Sequence, residues 1–184
     1  MNESVHMFFK KLSRRAGRVV LEARRTAGSR GSDSIGVNDL VIALITEDQD
    51  PNSLELDEEH PDVKRYLEKE LRRAAVGFQR TCFIQRDSFF APEVAADMLA
   101  KLNKILPRSN SIPTTSGMHT SPEFERAFDV AESLRNKFRQ NKVHPLHLLA
   151  AVLREPCQAT PTLQEAGITE ENVLHALGRG SESE

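Results

Sequence analysis

An all-α fold of about eight helices, arranged as two repeats, is predicted by three features of the sequence. Ser13 to Glu47 recurs as Ser121 to Glu155 at a constant offset of 108 residues, without a gap. Within each copy the apolar residues return three and four positions apart, the spacing of one helix face. Capping and turn residues stand where such helices begin and end. Identical pairs across the offset are Ser13/Ser121, Arg18/Arg126, Ala23/Ala131, Leu40/Leu148, Ala43/Ala151 and Glu47/Glu155. Ile35/Val143, Val41/Leu149 and Ile45/Leu153 are conservative. Two copies of one supersecondary unit explain this better than chance. No sheet is expected across either span.

The second copy is the clearer one. Ser121 is an N-cap, and Pro122 follows at the first helical position, where a missing N–H costs nothing. Phe124, Ala127, Phe128, Ala131, Leu134 and Phe138 then form an apolar face. The polar turn RQNK leads to a second helix from about Pro145, with Leu148, Leu149, Val152 and Leu153, stopped by Pro156. A short third helix ends at Gly167, a left-handed cap. Thr169 caps a fourth that carries Val173, Leu174 and Leu177.

In the first copy, Ala16, Val19, Val20, Ala23 and Ala27 form the stripe of the opening helix. Gly28, Gly31 and Ser32 are assigned to the turn, and Leu40, Val41, Leu44 and Ile45 anchor the next helix. Asp48 to Pro61 reads as a solvated acidic loop, without the alternating ligands and central Gly of a calcium loop. Val63, Leu67, Leu71, Ala74 and Phe78 predict a helix over Asp62 to Phe78. Thr81 to Ala91 is neither clean strand nor clean helix. Pro92 opens a closing helix with Val94, Met98, Leu102, Ile105 and Leu106 on one face. Ser109 to Thr120 reads as a flexible linker, and the tail after Leu177 as disordered.

Composition narrows the function classes. The 184 residues are 39% hydrophobic and 28% charged, as in a helical protein with a core. A net charge of −2 and 5% aromatics, with no Trp, give no broad basic field or stacking platform for nucleic acid. The apolar runs are too short to span a bilayer, and the N-terminus lacks a signal-peptide pattern. Cys82 and Cys157 fit no metal or redox spacing and read as reduced thiols of a cytoplasmic protein. No GxxxxGK[ST] loop, G-x-S-x-G elbow or H-E-x-x-H helix is present. His144 and His147 lie three apart at a helix start, but no third ligand falls at a recognisable spacing for zinc.

The motifs S-P-E-F-E-R-A-F, V-H-P-L-H-L-L-A-A-V-L and L-Q-E-A-G-I-T-E-E-N-V resemble the Clp amino-terminal repeat in order and spacing. That module stands, usually as a pair, at the front of Clp unfoldases of the AAA+ class. The segment A-K-L-N-K-I-L-P-R resembles the inter-repeat segment of such unfoldases, among them those of type VI secretion systems. The resemblance implies two pseudo-symmetric four-helix repeats: 12–106, with an insertion within 50–91, and 121–178. An extension at 1–11, a linker at 107–120 and a tail at 179–184 complete the division. His147 matches a His that the family carries in both repeats, where it supports packing; Asp39 replaces it in the first.

The resemblance further implies a non-catalytic protein-interaction module of the Clp chaperone and protease system, binding no cofactor, metal or ATP. Its partner would be a substrate, an adaptor or the protease complex. An accessory subunit that binds a Clp protease directly is the alternative within that class. Outside it stand a small hydrolase or transferase, and a nucleic-acid-binding protein using Arg14, Arg15, Arg18, Arg24, Arg25 and Arg30. The candidate partner-binding residues are Phe8, Phe9, Leu12, Val19, Asn38 and Leu146. Asn38 and Leu146 stand where some Clp unfoldases present an acidic residue to phosphorylated arginine. Neither is charged, so the expectation is a protein partner docked near the first helix and Met7 to Phe9, without phosphoarginine recognition.

Overall fold

The computed structural model describes residues 10–49, 89–112, 118–155 and 157–180. The first repeat supplies α1 (Arg14–Ser29), β1 (Ser34–Ile35), α2 (Val37–Gln49) and α3 (Pro92–Ile105). The second supplies β2 (His119–Thr120), α4 (Pro122–Lys137), α5 (Pro145–Arg154), α6 (Thr160–Glu165) and α7 (Glu170–Gly180). The helix expected over Asp62 to Phe78 and most of the segment Thr81 to Ala91 lie outside the described residues. So do Phe8 and Phe9, the acidic loop beyond Gln49 and the final four residues.

The offset seen in the sequence is the offset of the elements. α1 and α4 begin and end at equivalent positions, and α2 and α5 begin at equivalent positions. Ser13 and Ser121 each cap their helix by accepting a hydrogen bond at 3.2 Å, from the Ala16 and Phe124 backbone N–H respectively. The turn after the first helix of each repeat places one residue at positive φ, Gly31 at 73° and Arg139 at 54°, again equivalent positions. Gly28 is not in that turn as expected; it is buried in the last turn of α1. Gly167 ends α6 at φ 76°, its N–H donating to Gln164 and that of Ile168 to Leu163. That double bond is a Schellman cap with Ile168 packed behind it.

Helices α1 and α2 pair, as do α4 and α5; α3 lies on α2, and α7 on α5. The central helices α2 and α5 meet across the junction. Each is apolar around most of its circumference, which fits a helix enclosed on all sides. Leu40, Val41, Leu44 and Ile45 of α2, and Leu148, Leu149 and Val152 of α5, enter one continuous core. Val20, Ala23, Phe128 and Ala131 flank them.

The sequence does not announce the short β pairing between the repeats. Ser34 and Ile35 pair in parallel with His119 and Thr120, and Leu12 forms a parallel bridge with Val143. Ser13 donates its N–H to Val143 O at 2.8 Å, and Ser121 donates to Ile35 O at 2.9 Å. These two contacts interchange under the 108-residue offset, so the repeats embrace reciprocally, as in a two-fold interface. The pairing arises because the extended residues Ile35 and Val143 are buried and their backbone groups need partners.

Two further expectations change. In α3 the buried face is Ala95, Met98, Leu102 and then Leu106, whereas Val94 and Ile105 are 37% and 51% exposed. Both exposed residues sit on the flank of the stripe, about 80–100° around the helix from Ala95. The inter-repeat segment is also tied down where it is described. Ser109 donates from its N–H to Arg30 O and from its hydroxyl to Gly31 O, and Ile112 donates to Gly28 O.

Three substitutions follow. A Cβ on Gly31 would lie 2.2 Å from both Asn110 O and Ser109 Oγ, at a φ that L residues avoid. Gly31→Ala should therefore lower stability by more than about 1 kcal/mol and loosen the segment after Arg108. Arg139 is exposed and holds a positive φ with a side chain attached, so Arg139→Gly should raise stability by about 0.5–1 kcal/mol. Leu148→Ala should cost about 2–5 kcal/mol. Urea unfolding of the three variants reads all of these.

Candidate functional site: the polar junction of the repeats

The polar side chains of the junction sit at the first turns of α2 and α5, where backbone N–H groups lack helical partners. In α2, Asp39 Oδ2 accepts from the Gly36 N–H at 2.9 Å. In α5 the equivalent residue, His147, accepts at Nδ1 from the His144 N–H, also at 2.9 Å. Two different side chains thus close the same backbone group. The sequence assigns His147 to packing; it is fully buried, but its Nδ1 is a cap. With Nδ1 accepting, the proton belongs on Nε2, which is buried without a partner among the described residues.

The surroundings differ to match. Arg30 Nη2 lies 3.0 Å from Asp39 Oδ1, and both side chains are largely enclosed. The position equivalent to Arg30 in the second repeat is Phe138, which is partly buried against the core. A carboxylate thus has a guanidinium partner in the first repeat, and a neutral imidazole is matched with an aromatic ring in the second. Burial pushes the Asp39 carboxyl up, opposed by the Gly36 N–H and the Arg30 charge. Burial, with the His144 and Arg135 charges, lowers His147 to about 4, and the bond that Nδ1 accepts from the His144 N–H favours the same neutral form.

A second polar cluster joins α1 to α2. Glu47 is 2% exposed. It receives Arg15 Nε at 2.9 Å, Arg15 Nη2 at 2.8 Å and Arg18 Nη2 at 2.7 Å. Burial works against the charge of Arg15, and the Glu47 and Asp48 interactions overcome it and raise its pKa. The second repeat keeps the pair at equivalent positions, Arg126 to Glu155 at 3.3 Å, but nearer solvent. Both pairs are among the identities at offset 108; that shared spacing was the signal for a contact.

Of the candidate partner-binding residues, the four that are described are buried or half-buried. Leu12 and Val19 are 6% and 0% exposed, so the expectation that they face a partner is corrected. Leu12 is drawn inward by its bridge to Val143, and Val19 by the contact of α1 with α2. Asn38 is half-buried, its Oδ1 accepting from the Ala159 N–H just before α6 at 3.1 Å. Leu146 is half-buried and packs against the core. Of the arginines considered for nucleic acid, Arg15, Arg18 and Arg30 turn inward to carboxylates. The His144 and His147 rings lie 5.8 Å apart. Among the described residues no group of three or more His, Cys, Asp or Glu could hold a metal. No described helix is long and apolar enough to cross a membrane.

His147 makes the fold acid-sensitive. Between pH 6.5 and about 4 the unfolded chain binds a proton at this residue and the folded chain does not. Its contribution, about 3 kcal/mol, is therefore complete above pH 6.5 and lost as the pH falls to 4. The raised Asp39 works in the opposite direction, so the comparison must isolate His147. In His147→Asn, whose Oδ1 can cap the same N–H, unfolding free energy should fall less steeply over that window than in the native chain. Equal slopes for the two proteins would assign the acid response elsewhere.

No family model matches the chain, and no curated protein matches it. Solved structures do. The N-terminal domain of the caseinolytic-protease-associated chaperone ClpD from Arabidopsis thaliana is 18% identical, with a TM-score of 0.56, covering 92% of this chain and 96% of that one. A structure from work on a malarial protein secretion system is 17% identical, with a TM-score of 0.62, covering 94% of this chain and 95% of that one. The described elements and these likenesses agree: the chain has the mostly helical double-repeat fold of a Clp amino-terminal domain.

Proposed function

We propose that the chain is a non-catalytic protein-interaction module of the Clp chaperone and protease system, working in the cytoplasm. It docks a substrate, an adaptor or the protease complex. The observation that carries this reading is the double-repeat fold shared with the ClpD N-terminal domain across 92% of the chain. The buried polar chemistry supports it. Asp39 and His147 cap their own helices and Glu47 ties α2 to α1, and a side chain so engaged is not free to attack or protonate a substrate.

In this reading ATP is bound elsewhere, and the chain does not recognise phosphoarginine. A guanidinium wants a bidentate carboxylate. Asn38 offers one amide oxygen already held by the Ala159 N–H, and Leu146 offers no acceptor.

Three measurements test the reading. Calorimetry with Mg-ATP, and amide-shift titration with free phosphoarginine, should both give no saturable response; micromolar binding of either would contradict it. The immobilised chain should also retain a Clp ATPase or protease component from the cell that encodes it. Retention of only nucleic acid, in a salt-sensitive manner, would favour the arginine-based alternative instead.

A further inference from the structure

We propose that the groove between α3 of the first repeat and α6 of the second docks a basic, amphipathic helical segment of the partner protein. This rests on the interaction-module reading and gives it a site and a chemistry. The groove has a volume of about 300 Å³. Met98 closes its floor, with Val94 and Ala166 along the walls. Val94 and Ile105 are the exposed large hydrophobic residues of the described chain. They lie eleven residues apart on the same flank of α3, about 16 Å, with Asp97 and Lys101 between them, and of the two Val94 lines the groove. Val94, Met98 and Ala166 together form one apolar site, suited to a single anchor side chain of a short partner helix.

The rim fixes the charge of the occupant. Glu93, Asp97 and Glu165 surround the groove, against one cation, Lys101. Lys101 is shared between Asp97 at 3.1 Å and Glu165 at 3.3 Å. Glu93 has no ion-pair partner among the described residues. The rim is thus net acidic above an apolar floor, the complement of a helix with apolar anchors flanked by Lys or Arg. α3 closes the first repeat and α6 belongs to the second, so an occupant here grips both repeats at once.

The test uses the full chain and two labelled helical peptides, one with Leu anchors flanked by Lys and the other with the same anchors flanked by Glu. Fluorescence anisotropy should show saturable binding of the Lys peptide, weakening with salt, and binding of the Glu peptide at least about tenfold weaker. Val94→Ser should lower affinity for the Lys peptide about tenfold. The double variant Asp97→Lys/Glu165→Lys should reverse the preference between the peptides. These are surface changes, and circular dichroism should confirm that each variant folds. Equal binding of the two peptides, or a preference unmoved by the charge reversal, overturns the proposal. So does a concentration-dependent dimer that Val94→Ser abolishes, because the occupant is then a second copy. If the native chain retains a Clp component and Val94→Ser and the charge-reversed variant retain it equally, the groove is not the site and the module reading stands. Failure of the native chain to retain any Clp component counts against that reading itself.

Discussion

The structure depends on a reciprocal backbone exchange at the junction of the two repeats. Ser13 N–H reaches Val143 O and Ser121 N–H reaches Ile35 O, each repeat supplying the donor for one bond and the acceptor for the other. The same two serines cap α1 and α4 with their side chains. One residue thus ends the pairing between repeats and starts a helix within its own. Removing either bond would strand a buried donor and acceptor, whose desolvation costs more than the bond is worth when made. The exchange fixes the register of the repeats, and the meeting of α2 with α5 then fills the space between them.

The central helices show how an inherited position can change chemistry while keeping its task. The first turns of α2 and α5 each need an acceptor for the N–H three residues back, and Asp39 and His147 both provide one. A carboxylate in that place needs a countercharge, and Arg30 provides it. An imidazole stays neutral there without one, and Phe138 stands at the position of Arg30. The arginine richness of α1 has the same structural cause. Arg15 and Arg18 are held by one nearly inaccessible carboxylate, Glu47, so these two arginines of α1 are directed into the molecule. The edge where α3 meets α6 is acidic and partly apolar.

The sequence by itself determined the repeat, its offset, the helix starts and the core. Ser13, Ser121, Pro122, Gly167 and Thr169 act locally, through caps and turns within a few residues, and helical periodicity marks a buried face wherever that face is wide. Val20, Leu40, Phe128 and Leu148 were legible as core for that reason. Tertiary structure decided what local pattern does not encode. Leu12 was drawn inside by an exchange with a segment more than a hundred residues away, and Val94 and Ile105, on the flank of the stripe that α3 buries, were left at the surface. The cap role of His147 also needed coordinates, because a His and an Asp look unrelated until both are seen accepting the same backbone N–H. Short-range sterics and hydrogen bonds fix elements residue by residue. The packing of elements fixes which polar groups meet, and those meetings span distances along the chain that periodicity does not reach.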